Sequence, residues 1–226
     1  DGSKDNTLKV LKKYEKKDKR VKIVDQKNTG LTKALNNGLK KCRGKYVARM
    51  DADNISRKDR ISKEVEFLEN HKDYALVGSW REDIFPSGRK RTLKLPVSDK
   101  EVRRNLIKSC VISHSSVMIR TEVLKKNKYN ENFRTSQDYE LWLRLAKKHK
   151  IANIPEVLTY AYHREESITR TKNKWKALRT DIKIKKKALK NIKYPAWYVI
   201  FLVKPYVEYI VPNKIIEKYV DWKMRK

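Results

Sequence analysis

A chain of 226 residues, 39% hydrophobic and 37% charged, is long enough for one large domain with its own core, or for one domain and an appendage, and its recurring apolar runs exclude a disordered chain. The formal net charge of +30 predicts attraction to polyanions: nucleic acid, anionic lipid or phosphorylated substrates. Cys42 and Cys110 are far apart and fit neither a metal spacing nor a disulfide framework, which points to a reducing compartment. No signal-peptide pattern and no run of about 18 uninterrupted apolar residues is present.

In chain order, Asp1-Gly2-Ser3 has turn chemistry, and Lys4 to Lys17 reads as an amphipathic helix with Leu8, Leu11 and Tyr14 on one face. Val21 to Val24 reads as a short strand, Asn28-Thr29-Gly30 as a loop, and Leu31 to Cys42 as a helix closed by Gly44. Tyr46 to Met50 is the next strand and Arg57 to His71 the next helix, followed by a strand over Tyr74 to Trp80. This alternation implies an α/β fold: a mostly parallel, Rossmann-like sheet with helices on both faces. Further on, Pro86-Ser87-Gly88 is the turn of a hairpin, Ser98 caps a helix, and Ser115 to Arg120 is a strand. Thr135 or Ser136 caps a helix over Gln137 to Lys148, and Ile151–Ile154 and Val157–Tyr162 are extended. From about Ser167 the chain becomes Lys-rich and then aromatic, which divides it into residues 1–166 and a helical appendage over 167–226.

The stretch Lys45 to Asn54 organises the rest. A short strand there ends in Asp51 and Asp53 and turns into a helix. Acids at the carboxyl edge of a strand sit where ligands bind in open α/β sheets. Two carboxylates so placed repel unless a cation joins them, and the hard ions Mg²⁺ or Mn²⁺ take one or two carboxylates plus substrate phosphate oxygens.

Six motifs stand in order around this stretch: Asp1-Gly2-Ser3, Asn28-Thr29-Gly30-Leu31 with Ala34-Leu35-Asn36, Gly44-Lys45-Tyr46 leading to Asp51-Ala52-Asp53, Asp59-Arg60-Ile61, His114 to Arg120, and Gln137 to Arg144. Together they resemble the family 2 inverting glycosyltransferases of the glycosyltransferase A fold. The resemblance implies a nucleotide-sugar donor and a divalent metal at Asp53. It implies donor contacts from Asp1 (to the nucleobase), Asn28, Gly30 and Asp51, support of the acidic loop or a phosphate contact from Arg60, and one carboxylate as general base. Asp138 is the candidate for that base, because it opens a helix whose dipole favours its ionised form; Glu140 is the rival. His163 stands where the family has a metal- or diphosphate-facing histidine, and His114 lines the acceptor side. In the family, a strand, a helix and a strand of roughly 35–45 residues precede the acid matched by Asp1, so the sequence reads as N-terminally truncated. The run Lys172 to Trp175 lacks the glutamine of the processive synthases' signature, which implies a single transfer.

The expected activity is metal-dependent transfer of one sugar to a glycan or lipid-linked acceptor in cell-surface polysaccharide synthesis. The Lys- and aromatic-rich tail suits a membrane interface and anionic lipid, which places the protein in the cytoplasm, peripheral on the inner face of the cell membrane. Two alternatives stand beside this one. A nucleotidyltransferase would share the metal and the sheet but not need a base at Asp138. A basic nucleic-acid-binding protein would explain the charge, but no recognition helix, zinc module or aromatic ribonucleoprotein motif is present, so nucleic acid is not an expected partner.

Overall fold

The computed structural model describes residues 1–163, 174–191 and 194–203. Among them the order is α1 (Thr7–Lys17), α2 (Leu31–Lys41), β1 (Tyr46–Arg49), β2 (Asn54–Ser56), α3 (Arg60–Asn70), β3 (Tyr74–Ile84), β4 (Lys90–Leu93), α4 (Asp99–Leu106), β5 (Val117–Arg120), α5 (Thr121–Asn127), α6 (Gln137–Ala146), β6 (Lys150–Tyr162) and α7 (Lys174–Asn191). Short 3₁₀ turns cover His114–Ser116 and Ala196–Leu202.

The strands form one sheet in the order β1-β5-β3-β6-β2, with β4 paired to β3. Side chains alternate across it. Leu76, Val117 and Ile119 enter a core shared with α4, α5 and α6, while Val77 and Met118 meet Leu68 of α3 on the opposite face. The α/β class with helices on both faces is therefore the observed one. The pairing is mixed rather than mostly parallel: β3/β6 is parallel, and β1/β5, β2/β6, β3/β4 and β3/β5 are antiparallel. Alternation implies parallel neighbours only where each crossover returns beside the strand it left. Here the connections from β4 to β5 and from β5 to β6 end on strands that do not pair with the one before.

Other local expectations changed for identifiable reasons. Residues 21–24 join no strand pair among the described residues. The two extended pieces after α6 are one strand, β6, whose register against β3 shifts around Pro155, where the ring nitrogen has no hydrogen to donate to the ladder. Ser98 caps α4 as expected, in a reciprocal capping box with Glu101. α1 buries none of its residues, and Val10, Leu11 and Tyr14 are exposed.

Within the tail, Ile184 and Ala188 of α7 and Tyr198 enter the main core. The run before Trp175 and the aromatic stretch after Val203 lie outside the described residues. No helix among the described residues is long and apolar enough to cross a membrane.

Candidate active site

β1 lies at one end of the strand order and β2 at the other, and only residues 50–53 join them. The acidic stretch therefore crosses the sheet instead of running straight into a helix. Its start is held from both sides. Arg49 pairs with Val117 of β5. From α3, the buried Arg60 donates to the carbonyl oxygens of Arg49 at 2.9 Å and Val117 at 3.3 Å, and to Glu64 at 2.8 Å. Arg60 is 1% exposed and Glu64 is fully buried. Of the two roles expected of Arg60, the structure shows support of the acidic loop from inside the fold, since its buried guanidinium has no open side for a phosphate.

A cleft of about 510 Å³ opens beside this loop. Leu31, Arg49, Asp51, Arg81, Leu93, Leu95, Cys110, Ile112, Ser113, His114, Ser115 and Asp138 line it. Arg49 grips both carboxylate oxygens of Asp51, and the Ser115 hydroxyl donates to the same carboxylate. Burial works to raise the Asp51 carboxyl, but the bonds from Arg49 and Ser115 outweigh it and hold the group below its ordinary value.

Asp138 enters from the first turn of α6. The preceding Ser136 has φ 56° and ψ 26° and makes no capping bond through its side chain, so the chain turns into the helix by a left-handed residue rather than by the expected cap. Burial raises the Asp138 carboxyl, while backbone N–H groups of Tyr139 and Asp138 itself, and the charge of Arg49, pull the other way; the net direction is up. His114 contacts the Tyr129 hydroxyl at 2.9 Å through Nε2 and packs edge-on against Trp142. Burial, reinforced by Arg49, lowers it to about 3, so it is neutral at physiological pH.

Of the expected site residues, the cleft brings together Asp51, His114 and Asp138. Asp1 instead accepts from the backbone N–H groups of Thr29 at 2.9 Å and Gly30 at 3.0 Å, and from Gln26 at 2.7 Å. Asp1 thus clamps the Asn28–Gly30 loop. Asn28 lies against Gly2, where an added Cβ would meet its backbone nitrogen at 2.8 Å. Gly30 enters α2 with φ 92°, a conformation that only glycine adopts without strain.

Asp53 is exposed and makes no hydrogen bond or ion pair among the described residues. An open carboxylate of this kind fits a hard cation, which completes its shell with phosphate and water oxygens. His163 does not join it. Its Nε2 is 3.2 Å from the fully buried Asp83, and its ring stacks on Phe85. Among the described residues no three His, Cys, Asp or Glu side chains cluster closely enough to hold a metal by themselves, and the partner the structure gives His163 is Asp83. Glu140, the rival base, is 2% exposed and bound to Arg144 and Lys187 away from the cleft.

Reading the sequence missed Arg49, Ser115 and Arg81. The available signal was a basic residue at i−2 from Asp51, on the strand that leads to the acids.

The pattern of Glycosyl transferase family 2 matches residues 1–128. An uncharacterized glycosyltransferase of Methanocaldococcus jannaschii is 31% identical over 229 residues, covering 96% of this chain and 78% of its own. The amylovoran biosynthesis glycosyltransferase AmsE of Erwinia amylovora is 28% identical over 196 residues, covering 85% of this chain and 73% of its own. Among solved structures, S. aureus TarS 1–349 in complex with UDP-GlcNAc superimposes with a TM-score of 0.67 at 18% identity. That alignment covers 89% of this chain and spans 59% of the TarS chain. The chain shares the fold of that protein, and by sequence it belongs to glycosyl transferase family 2.

Proposed function

We propose that this chain moves one sugar, with inversion, from a nucleotide-sugar donor to a hydroxyl of a glycan or lipid-linked acceptor, in building a cell-surface polysaccharide at the cytoplasmic face of the membrane. The observation that carries the reading is that Asp51, after β1, and Asp138, at the head of α6, meet in one cleft. Support for the donor comes from the UDP-GlcNAc bound by TarS, and for the polysaccharide from the name of AmsE.

In this reading the acceptor hydroxyl gives its proton to the Asp138 carboxylate as its oxygen attacks the anomeric carbon. The bond to the nucleoside diphosphate breaks with its electron pair on the leaving oxygen. Burial brings the Asp138 carboxyl closer to the working pH, which suits a general base. Asp53 would hold Mg²⁺ or Mn²⁺, and the cation supplies neutralising charge for the departing diphosphate. Asp51, held by Arg49 and Ser115, presents a rigid carboxylate edge to the donor. Neutral His114 and Ser113 offer polar contacts to the acceptor without adding charge.

The test is nucleoside diphosphate release across a panel of nucleotide sugars with Mn²⁺, for the wild type and Asp53→Asn. One donor is expected to turn over in a Mn²⁺-dependent manner, with the dependence lost in the variant. No turnover across the panel, or unchanged Mn²⁺ dependence in Asp53→Asn, overturns the reading.

A further inference from the structure

Resting on the reading of Asp138 as the base, we propose that Arg49 is its positioning residue: a fixed positive charge, clamped between β1 and the acidic loop, that sets the charge state of Asp138. Two carboxylates, Asp51 and Asp138, line the same cleft. The charge of Asp51 works to raise the Asp138 carboxyl, toward the protonated form in which the base is idle. Arg49 is the side chain arranged to prevent this. It is buried to within 10% of full enclosure, grips both oxygens of Asp51 and donates to Ser115 Oγ at 3.1 Å. Its own carbonyl is held by Arg60 at 2.9 Å. A guanidinium tied at this many points cannot swing out to solvent, so its charge stays in the cleft.

The other ionisable neighbours do not replace it. His114 and Tyr129 are neutral in their buried positions, and Cys110 keeps its proton. Arg81 is turned to Asp83 at 2.8 Å and to Ser113 at 3.1 Å. The field of Arg49 reaches Asp51, His114, Tyr129 and Asp138 alike. Arg49 thus organises the floor of the cleft without touching the reacting atoms. Remove its charge, and Asp51 faces Asp138 uncompensated; remove the charge of Asp51, and Arg49 acts on Asp138 alone.

The experiment is a pH titration of the Asp138 carboxyl carbon by ¹³C NMR in the ligand-free protein, with the resonance assigned by its loss in Asp138→Asn. The titration midpoint is expected to rise by about one pH unit or more in Arg49→Met, the size typical of losing a neighbouring opposite charge. Arg49→Lys, which keeps the charge without the fork, is expected to restore most of the shift. Asp51→Asn, close in shape to the native residue, is expected to lower the midpoint. A midpoint in Arg49→Met equal to the wild type overturns the proposal. Should that variant fail to fold, an unchanged or raised midpoint in Asp51→Asn overturns it instead. The titration needs no donor, so a flat result sinks the role of Arg49 while sugar transfer stands. Absent transfer sinks the reading of the site while the titration still reports.

Discussion

The guanidinium of Arg60 donates to the carbonyl oxygen of Arg49 at 2.9 Å, so a charge inside the fold secures the residue that in turn secures Asp51. The same guanidinium forms a fully buried pair with Glu64. Removing one member of such a pair leaves an uncompensated buried charge, at a cost of about 3–5 kcal/mol. Arg60→Met is expected to lose stability on that scale, measured as a fall in the urea midpoint, and Arg60→Met/Glu64→Met to recover part of it. Nucleotide affinity of the folded variant, measured by calorimetry under stabilising conditions, is expected to stay within a few-fold of the wild type. A selective loss of affinity without loss of stability would return Arg60 to the donor site.

Asp138→Asn keeps the shape of the side chain and removes its basicity. Transfer is expected to fall by about 10²–10⁴-fold, the usual contribution of a general base, with donor affinity little changed. Single-turnover transfer and equilibrium donor binding, measured on the same preparation, separate the two effects. Near-normal turnover would leave the cleft without its base, since Glu140 is buried against Arg144 and Lys187.

His114 gives the fold a pH signature. Its folded value of about 3 lies below the ordinary histidine value of about 6.5, so between these values the unfolded chain binds the extra proton. The neutral-histidine contribution is therefore fully present above about pH 6.5 and is lost as pH falls toward 3. Urea midpoints taken across that window are expected to fall less steeply for His114→Gln, which keeps a polar partner for Tyr129 but does not titrate. Parallel curves for the two proteins would show that His114 is not a source of the acid sensitivity.

The 3₁₀ turn Ala196–Leu202 and the residue after it leave Trp197, Val199, Ile200 and Val203 more than half exposed, while Tyr198 between them is buried in the core. An apolar face beside a Lys-rich helix suits the interface of an anionic bilayer. Flotation with vesicles containing phosphatidylglycerol is expected for the wild type, and to weaken in Trp197→Ser/Ile200→Ser. Equal flotation of both proteins would place any membrane contact elsewhere.

Local chemistry was legible in the sequence. The helices α2, α3, α4 and α6 follow from apolar spacing, and α4 also from the Ser98 cap. The candidate acids Asp51, Asp53 and Asp138 follow from motifs in order along the chain. Strand direction was not legible, since helix–strand alternation says nothing about which neighbour a crossover returns to, and four of the five strand pairings are antiparallel. The fates of individual charges were also decided only in three dimensions. Arg60 reads as a support of the acidic loop or a phosphate contact, and its burial against the Arg49 carbonyl decides for the loop; Asp1 and His163 find partners in Thr29, Gly30 and Asp83. Arg49 reads as a strand residue, yet it lines the cleft and grips Asp51. A charge acts through distance and burial, and residues as far apart in the chain as Arg49, Ser115 and Asp138 come to line one cleft only when the sheet and α6 are packed together.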